Sequence, residues 1–278
     1  MNSRCPVPVA ELSLRRCSCV IAAFGQFAAA TALAALLVGC AEQVPKAGRD
    51  YSFRDGMWPG TLTKIDFFTN LNPDCTFIDY GTIRTLETPS HGALTFERIT
   101  DFALYYMNNS RFDCGKQRVP GTVVRYQSDP GYVGRDTAKI EEIAADGELR
   151  TITYRLFVGK TAEDQGLKEV SVPRTSVSGS IQKVGFQTVI DPDCSSLGET
   201  RIRVTRAPSH GTLKIQQGED YAEFPKSNPR FDCNKQKVPG SLIYYQSEAG
   251  YTGQDSARVE VIYPQGLVKS VLYSITVR

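Results

Sequence analysis

Histidine is scarce in this chain of 278 residues, which contains only His91 and His210. The sequence also has no Cys-x-x-Cys spacing, no glycine loop of the kind that cradles phosphate, and no zinc-binding helix motif. A structural zinc site needs four Cys or His ligands that converge in space, and the known phosphate and zinc motifs need those spacings. The sequence therefore predicts no metal site and no cofactor.

An excess of positive charge is also lacking. The whole chain carries 32 basic and 30 acidic residues, a formal net charge of +2. Its first 39 residues contain three Arg and one Glu, so the remainder has 29 of each sign and a net charge of zero. Proteins that bind nucleic acid rely on clustered positive charge to displace counterions. We therefore expect no nucleic-acid partner.

The N-terminal segment resembles a bacterial lipoprotein signal. Three Arg precede a nearly continuous apolar run from Val20 to Val38, which ends in the sequence LVGC at Cys40. A charged start, an apolar run and small residues at a cleavage site are typical of a secretory signal. The LVGC stretch resembles a lipobox, which implies cleavage before Cys40 and attachment of a lipid, such as palmitate, to that residue.

This resemblance predicts a signal peptide over 1–39 and a tether over 40–47. Ala41 follows the lipidated residue, which in Gram-negative lipoproteins favours the outer membrane over the inner one. The predicted location is therefore the bacterial cell envelope, lipid-anchored in the membrane. The alternative is an uncleaved membrane anchor, because the apolar run is nearly long enough to span a bilayer.

The rest of the chain is a tandem duplication. RFDCGKQRVPG at 111–121 recurs as RFDCNKQKVPG at 230–240, an offset of 119 residues. Residues 73–158 align on 192–277 at this offset without a gap, with 35 of 86 positions identical. Each copy has the size of a single domain. We predict a first domain over 48–163, a second over 164–278, and a short polar joint between them.

Cysteine usage follows the duplication. Of eight Cys, three lie in the leader and Cys40 is the predicted lipid site, which leaves one pair in each repeat. An even number of Cys in an exported protein indicates disulfides. Four Cys allow three connectivities, of which the duplication favours the one within repeats. The expected bonds are Cys75–Cys114 and Cys194–Cys233.

Alternating apolar and polar residues indicate strands throughout both copies. One example is TITYRLFV at 151–158, which places Ile152, Tyr154, Leu156 and Val158 on one face. Alternation of this kind predicts antiparallel strands with one buried face. Turn motifs such as NPDC, PSHG and DPGYVG separate about seven short strands in each copy. The predicted fold is all-β, with two tandem antiparallel β-sandwich domains, each with one internal disulfide.

The motifs carry a family resemblance. PSHGALTF with YQSDPGYVGRD, and PSHGTLKI with YQSEAGYTGQD, resemble bacterial Ig-like or cadherin-like tandem repeats. The resemblance implies Ig-like domains that act as non-catalytic building blocks of surface and secreted proteins. Both copies depart from that pattern by inserting the cysteine loop, and calcium-binding cadherin motifs are absent, so calcium is not expected.

Within these motifs, three residue types have expected structural roles. Gly92 and Gly211 suit a turn with a positive φ. Asp136 and Asp255 are placed to accept backbone N–H groups. The two His are expected to be turn residues bonded to backbone, although a proton switch or a ligand is the alternative.

The basic side chains of the cysteine loops are the candidate ligand-binding residues: Arg111, Lys116, Arg118, Arg230, Lys235 and Lys237. A basic loop held by a disulfide could grip an anionic glycan or an acidic protein face. The alternative interpretation is that these cations are solvated and paired with Asp113 and Asp232.

No catalytic constellation is apparent. Ser90 and His91 are adjacent, which does not suit a nucleophile and its base. We therefore expect a non-enzymatic, membrane-tethered binding or scaffolding module. The alternative is a hydrolase or transglycosylase that acts on envelope polymers through a carboxylate site, because such sites leave little trace in a sequence.

Overall fold

The computed structural model describes residues 49–105 and 107–278, so the predicted signal peptide and Cys40 lie outside the described residues. Within the described ranges the chain is all-β, and no helix there is both long and apolar enough to cross a bilayer. The described residues contain sixteen strands: β1 Arg49–Met57, β2 Thr63–Phe68, β3 Asn70–Leu71, β4 Phe77–Asp79, β5 Thr82–Glu87, β6 Gly92–Phe102, β7 Arg118–Ser128, β8 Gly134–Ile143, β9 Leu149–Val158, β10 Val170–Ser176, β11 Ile181–Gln187, β12 Arg201–Arg206, β13 Gly211–Tyr221, β14 Lys237–Ser247, β15 Gly253–Ile262 and β16 Val268–Val277.

The same sheet pattern occurs in both repeats. The first repeat has a four-stranded sheet in the order β1-β9-β8-β5 and a three-stranded sheet in the order β2-β7-β6. The second has β10-β16-β15-β12 and β11-β14-β13, and the first repeat also has a small β3-β4 pair. Most neighbouring strands are antiparallel, as expected, but β1 runs parallel to β9 and β10 runs parallel to β16. The first strand of each repeat is therefore an edge strand of the four-stranded sheet and pairs with the last strand of the same repeat.

One hydrophobic cluster joins the two larger sheets of each repeat. In the first repeat, Val124 and Tyr126 from β7 meet Ile140 from β8 and Tyr154 and Leu156 from β9. Equivalent residues of β14, β15 and β16 form the cluster of the second repeat. The alternating residues that predicted these strands are the ones that are buried. Removal of this apolar surface from water is the main force that holds the sheets together.

Both cysteine loops are closed within their own repeat. The structure contains the bonds Cys75–Cys114 and Cys194–Cys233, each across 39 residues of sequence. The second Cys of each pair lies in a short 3-10 helix, Phe112–Lys116 or Phe231–Lys235. Each bond lies in a small apolar cluster of its own, separate from the main core.

A carboxylate clamp holds the PSHG turn of each repeat. Asp136 accepts hydrogen bonds from the backbone N–H groups of Ser90 and His91 and from the hydroxyl of Tyr126. Burial alone would raise the pKa of Asp136, but these donors outweigh it and hold the pKa below its usual value. Asp255 makes the same contacts in the second repeat. The expected backbone-binding role of both Asp residues is confirmed.

The expected positive φ at the turn glycines Gly92 and Gly211 is wrong. Neither Gly92 nor Gly211 has a positive φ. A Cβ atom at Gly92 would lie 2.4 Å from the carbonyl oxygen of Gln127 and 2.7 Å from the hydroxyl of Tyr126. Glycine is therefore needed because two strands and the Tyr126–Asp136 pair approach closely at this point.

The joint between the repeats is buried. Gln165 has 0% exposed surface, and its Nε2 donates to the carbonyl oxygens of Gly159 and Gly266. Its Oε1 accepts a hydrogen bond from the backbone N–H of Val268. Because the side chain binds the linker and the second repeat at once, it fixes the last turn of the linker against β16.

An apolar cluster completes this joint. Trp58 from the first repeat and Ala162 and Leu167 from the linker pack against Ile262 and Val268 of the second repeat. The linker was expected to be short and polar with limited freedom. It is short, but its residues form part of a core, because the turn between β15 and β16 packs against the first repeat.

Candidate functional site

Two of the six candidate cations have a structural role in the cysteine loops. Arg111 Nε donates a hydrogen bond of 2.5 Å to the carbonyl oxygen of Leu71. Arg230 makes the equivalent bond to the carbonyl of Ile190 in the second repeat. Both side chains are half-buried and connect the 3-10 helix to the segment that carries the first Cys of the pair. These arginines therefore brace the loops from within.

The two lysines of the loops are paired with their nearest carboxylates. Lys116 Nζ lies 2.8 Å from Asp113, and Lys235 Nζ lies 2.7 Å from Asp232, one turn earlier in each 3-10 helix. All four side chains are at least 41% exposed. Exposed ion pairs of this kind contribute little free energy. The alternative interpretation, with Asp113 and Asp232 as partners, describes these two lysines.

Arg118 joins the two repeats. Its Nη2 lies 2.8 Å from Asp191 of the second repeat, and its guanidinium lies 4.6 Å from the ring centre of Phe102. Burial raises the pKa of Asp191, and the charge of Arg118 opposes that shift. Lys237, the counterpart of Arg118, is exposed. Of the six candidate cations, the structure brings Arg118 and Arg230 into one groove between the repeats. Lys116 also lies close enough to Asp232, the partner of Lys235, for the two charges to interact.

A pocket lies at the end of the first repeat that carries the turn between β8 and β9, and it shares Asp66, Phe67, Ala103 and Leu104 with the groove between the repeats. It has a volume of about 520 Å³, within the range typical of ligand sites. Its walls come from β1, β2 and the turn between β8 and β9, and they include Tyr51, Phe53, Asp66, Tyr105 and Arg150. Arg111 contributes to the same wall.

Two parallel aromatic rings line this pocket. Tyr51 and Phe53 are 37% and 41% exposed, and their ring centres lie 6.4 Å apart with an angle of 8° between the planes. Phe53 also packs against Tyr154 at 6.5 Å. In the parallel register of β1 and β9, Phe53 lies beside Tyr154 and Tyr51 beside Ile152, both core residues. The exposed rings therefore continue the core face of the sheet to its open edge.

A carboxylate pair, Asp55 and Asp66, lies beside this pocket. Asp66 is also in its wall, and both residues line a larger groove of about 970 Å³ between the repeats. Asp66 accepts hydrogen bonds from the hydroxyl of Tyr154 at 2.9 Å and from the N–H of Phe67. Asp55 Oδ2 is buried without a hydrogen-bond partner.

Burial determines the charge state of this pair. It raises the pKa of Asp55 to about 6, and the neighbouring Asp66 adds to the shift. It also raises the pKa of Asp66, against the opposing effects of Phe67, Tyr154 and Lys64. The hydroxyl of Tyr154 has its pKa raised by burial and then by Asp66. Two neighbouring carboxyls in a poorly solvated place favour retention of a proton.

The second repeat has no such pair among its described residues. At the offset of 119 residues, Arg174 replaces Asp55 and Gly185 replaces Asp66. Arg174 Nε donates 2.7 Å to the carbonyl of Val184, and a Cβ at Gly185 would lie 2.1 Å from the hydroxyl of Tyr273. The position that holds the Asp55–Asp66 carboxylate pair in the first repeat is therefore occupied in the second repeat by the side chain of Arg174.

These residues were missed in the sequence because of a β-bulge. Strict alternation along this strand would place Asp66 on the opposite face of the sheet from Ile65 and Phe67. The register of β2 against β7 shifts between Lys64 and Asp66, which turns the Asp66 side chain towards Tyr154. The only available signal was the Asp-to-Gly exchange between the copies.

Metal-binding groups are not clustered in this region. Among residues 49–105 and 107–278, no three His, Cys, Asp or Glu side chains are grouped to hold an ion. The two His stack on tyrosines instead, His91 on Tyr132 and His210 on Tyr251, each with ring centres 4.1 Å apart.

Comparison with known proteins gives distant similarity only. No family model and no curated protein matches the chain. Among solved structures, it is similar to an endo-fucoidan hydrolase of glycoside hydrolase family 107 (13% identity, 81% of this chain and 33% of that one, TM-score 0.27). It is also similar to the protocadherin gamma B2 extracellular domains 1–5 (9% identity, 84% and 40%, TM-score 0.22). Tandem Ig repeats of Dlar match at 10% identity, 83% and 96% coverage and TM-score 0.18.

The chain therefore spans a third to two fifths of the length of the first two neighbours. These neighbours include cadherin and Ig-like tandem domains, but every TM-score is far below 0.5.

Proposed function

We propose that this protein is a non-catalytic binding module of the bacterial cell envelope, built from two tandem Ig-like β-sandwich domains and tethered to the membrane by a lipid on Cys40. The observation that carries the proposal is the contrast between the two ends of the first repeat. The end that carries Trp58 is locked onto the second repeat through the linker and Gln165, whereas the end that carries the turn between β8 and β9 presents an open pocket with exposed aromatic rings. A rigid pair of domains with one open end suits presentation of a binding surface away from a tether.

The Ig-like part of the proposal rests on the layered core. In each repeat a four-stranded and a three-stranded sheet contribute to one apolar cluster. Two packed antiparallel sheets of about seven strands, with Greek-key connections, are typical of Ig-like sandwiches. The parallel pairing of the first strand with the last is compatible with this assignment, because it extends one sheet at its edge.

A specific observation favours a second candidate, a hydrolase that acts through Asp55 and Asp66. A pair of carboxyls, one of them with a raised pKa, is the arrangement that supplies a general acid at neutral pH. Two features favour binding instead. The free oxygen of Asp55 is buried, so that it is not exposed to a substrate in the groove. Asp66 already accepts the hydroxyl of Tyr154 and a backbone N–H.

Binding and turnover are distinguished by one experiment. The purified full chain, held in detergent, is mixed with isolated envelope polysaccharides, and co-sedimentation is measured together with the release of new reducing ends. The proposal predicts saturable binding without new reducing ends. Release of reducing ends that is lost in Asp55→Asn or Asp66→Asn overturns the non-catalytic part and supports the hydrolase.

The tether is tested separately at Cys40. We expect Cys40→Ala to abolish labelling by a fatty-acid analogue and to release the protein from the outer-membrane fraction. Membrane association that persists with an intact leader would support the uncleaved anchor instead.

A further inference from the structure

The pocket of the first repeat can be compared with the equivalent surface of the second repeat, which packs against the first repeat. The end of the second repeat that receives the first lines the groove between them with Val189, Leu197, Arg230, Tyr263, Gln265 and Leu267. At the offset of 119 residues, the same six positions in the first repeat line the open pocket. Equivalent surfaces therefore face another domain in one copy and solvent in the other.

The open surface has lost much of the apolar character of its counterpart. Val189 corresponds to Asn70, Tyr263 to Ala144, and Leu267 to Glu148. Ile143 and Leu149 retain the apolar type of Ile262 and Val268. The core of a protein–protein interface is depleted in charged residues. A surface with Glu148 and Asn70 in place of aliphatic residues is therefore poorly suited to receive a second domain of this kind.

The open surface has gained two aromatic rings. Tyr51 and Phe53 stand where the second repeat has Val170 and Val172. Their rings are nearly parallel, with 8° between the planes, and both are partly exposed and line the pocket. We call these two side chains the aromatic shelf. Because Phe53 rests on Tyr154, the shelf is backed by a buried ring and is held in place without a ligand.

The charges beside the aromatic shelf neutralise one another. Arg49 lies 2.9 Å from Glu148, and Arg150 lies 2.8 Å from Glu148 and 3.1 Å from Glu142. Counted over the pocket wall, three Arg face four carboxylic acids. An anionic ligand needs an excess of cations with free donors. The pocket has no such excess, so its chemistry does not fit the anionic glycan expected for the basic loops.

We propose that the aromatic shelf binds an uncharged glycan chain, with the C–H faces of successive sugar rings on Tyr51 and Phe53. This inference rests on the proposed binding function and names its ligand class. The face of an aromatic ring is electron-rich and attracts the weakly positive C–H groups of a pyranose. The hydroxyl groups of the sugar meet the polar wall, where the amide of Asn109 and the carboxylates of Glu142 and Glu148 are hydrogen-bonding groups.

The test uses the purified full chain and defined oligosaccharides. Chitohexaose, cellohexaose and laminarihexaose serve as uncharged probes, and an alginate hexamer of similar length serves as an anionic probe. Binding is measured by isothermal titration calorimetry. We expect at least one uncharged probe to bind and Tyr51→Ala/Phe53→Ala to weaken that binding by about tenfold or more, which corresponds to about 1.4 kcal/mol.

Two further variants control for folding and position. Val170→Ala/Val172→Ala removes the equivalent side chains of the second repeat and is expected to leave binding unchanged. Tyr51→Leu/Phe53→Leu keeps an apolar edge but removes the flat rings, and we expect it to lose binding while the thermal transition remains near that of the parent. Each variant is therefore compared for both affinity and melting.

The outcomes separate this inference from the proposed function. An uncharged probe that binds equally to the parent and to both shelf variants overturns the shelf but leaves a binding module. Binding of the alginate probe alone, lost in Lys116→Ala/Lys235→Ala, overturns the ligand class and the site. Failure of every uncharged probe to bind also overturns the inference. New reducing ends from any probe would contradict the proposed function itself.

Discussion

Arg118 of the first repeat donates a hydrogen bond of 2.8 Å from Nη2 to Oδ2 of Asp191 in the second repeat. Asp101 and Asp193 lie at 3.7 Å from the same guanidinium, one from each repeat. Arg118, one of the candidate ligand-binding cations, is thus held by three carboxylates at the joint. Its counterpart Lys237 is exposed and provides a matched control.

We predict that Arg118→Ala weakens the contact between the repeats. Because the Arg118 side chain is 45% exposed, the coupling to Asp191 is expected to be modest, about 1 kcal/mol. A double-mutant cycle of Arg118→Ala and Asp191→Ala, measured by urea unfolding, gives this coupling. Lys237→Ala should change the free energy of unfolding little. A loss for Lys237→Ala equal to that for Arg118→Ala would contradict the interpretation.

Each disulfide is expected to stabilise the repeat in which it lies. We predict that Cys75→Ala/Cys114→Ala destabilises the first repeat by roughly 2–5 kcal/mol, because the unfolded chain regains the freedom of a 39-residue loop. Cys194→Ala/Cys233→Ala should do the same to the second repeat.

Differential scanning calorimetry measures these two effects. Each repeat has its own core cluster, so we expect the transition of the intact repeat to persist beside that of the altered one. A single joint transition in either double variant would show that the buried joint makes the two repeats one folding unit.

The buried carboxyl of Asp55 predicts a pH dependence of stability. Its pKa is about 6 in the folded chain and about 3.8 when unperturbed. The folded state therefore holds a proton that the unfolded state has released between these values. The stability associated with Asp55 is complete below about pH 4 and is lost as the pH rises through about 6.

Asp55→Asn is predicted to remove this loss. The amide resembles the protonated carboxyl, so the variant should gain roughly 1–2 kcal/mol over the parent above pH 6, after allowance for partial solvation, and little below pH 4. Urea unfolding at several pH values measures the difference. Asp136→Asn is a contrast of opposite sign, because hydrogen bonds lower the pKa of Asp136 and its contribution is lost as the pH falls. A pH-independent effect of Asp55→Asn would refute the predicted protonation.

Much of the strand arrangement could be predicted because the sequence is a tandem duplication. The faces of β7, β8, β9 and their counterparts follow from alternation that recurs at a fixed offset, with Tyr154 and Tyr273 as examples of buried positions. Local period-two patterns depend only on which side of a sheet is covered. The turn clamp at Asp136 was similarly accessible, because its motif also recurs.

The candidate site was harder to predict, because its residues come together through contacts between distant parts of the sequence. Tyr51 and Phe53 precede the aligned region, and two aromatics spaced by one residue are ordinary in a strand. Only the parallel register of β1 with β9 shows that both rings lie on the face of the sheet that carries the core residues, at its exposed edge. Asp66 was hidden by the bulge, and Arg118 by a contact between repeats. Each of these depends on tertiary geometry that a motif does not encode.

The last prediction concerns Gln165, which joins the linker to the second repeat. Its amide makes three hydrogen bonds in a fully buried place, to the carbonyls of Gly159 and Gly266 and from the N–H of Val268. A buried polar group that loses its partner costs about 1–3 kcal/mol. We predict that Gln165→Ala leaves all three backbone groups unpaired and lowers the free energy of unfolding by roughly 2–4 kcal/mol.

Gln165→Glu separates the geometry of this contact from its volume. The variant has nearly the same shape, but it places a carboxylate oxygen where Nε2 donates to two carbonyl oxygens. We expect it to be at least as destabilising as Gln165→Ala at pH 7 and to recover in part as the pH falls and the carboxyl is protonated.

Glu163→Gln, an exposed change two residues earlier in the linker, should have little effect. Limited proteolysis of the segment 159–167 reports the opening of the joint directly, because cleavage requires the linker to leave its buried position. If Gln165→Glu melts like the parent and its linker resists proteolysis, the two repeats are held together by the apolar cluster and Arg118, and Gln165 has no part in the rigidity on which the binding module depends.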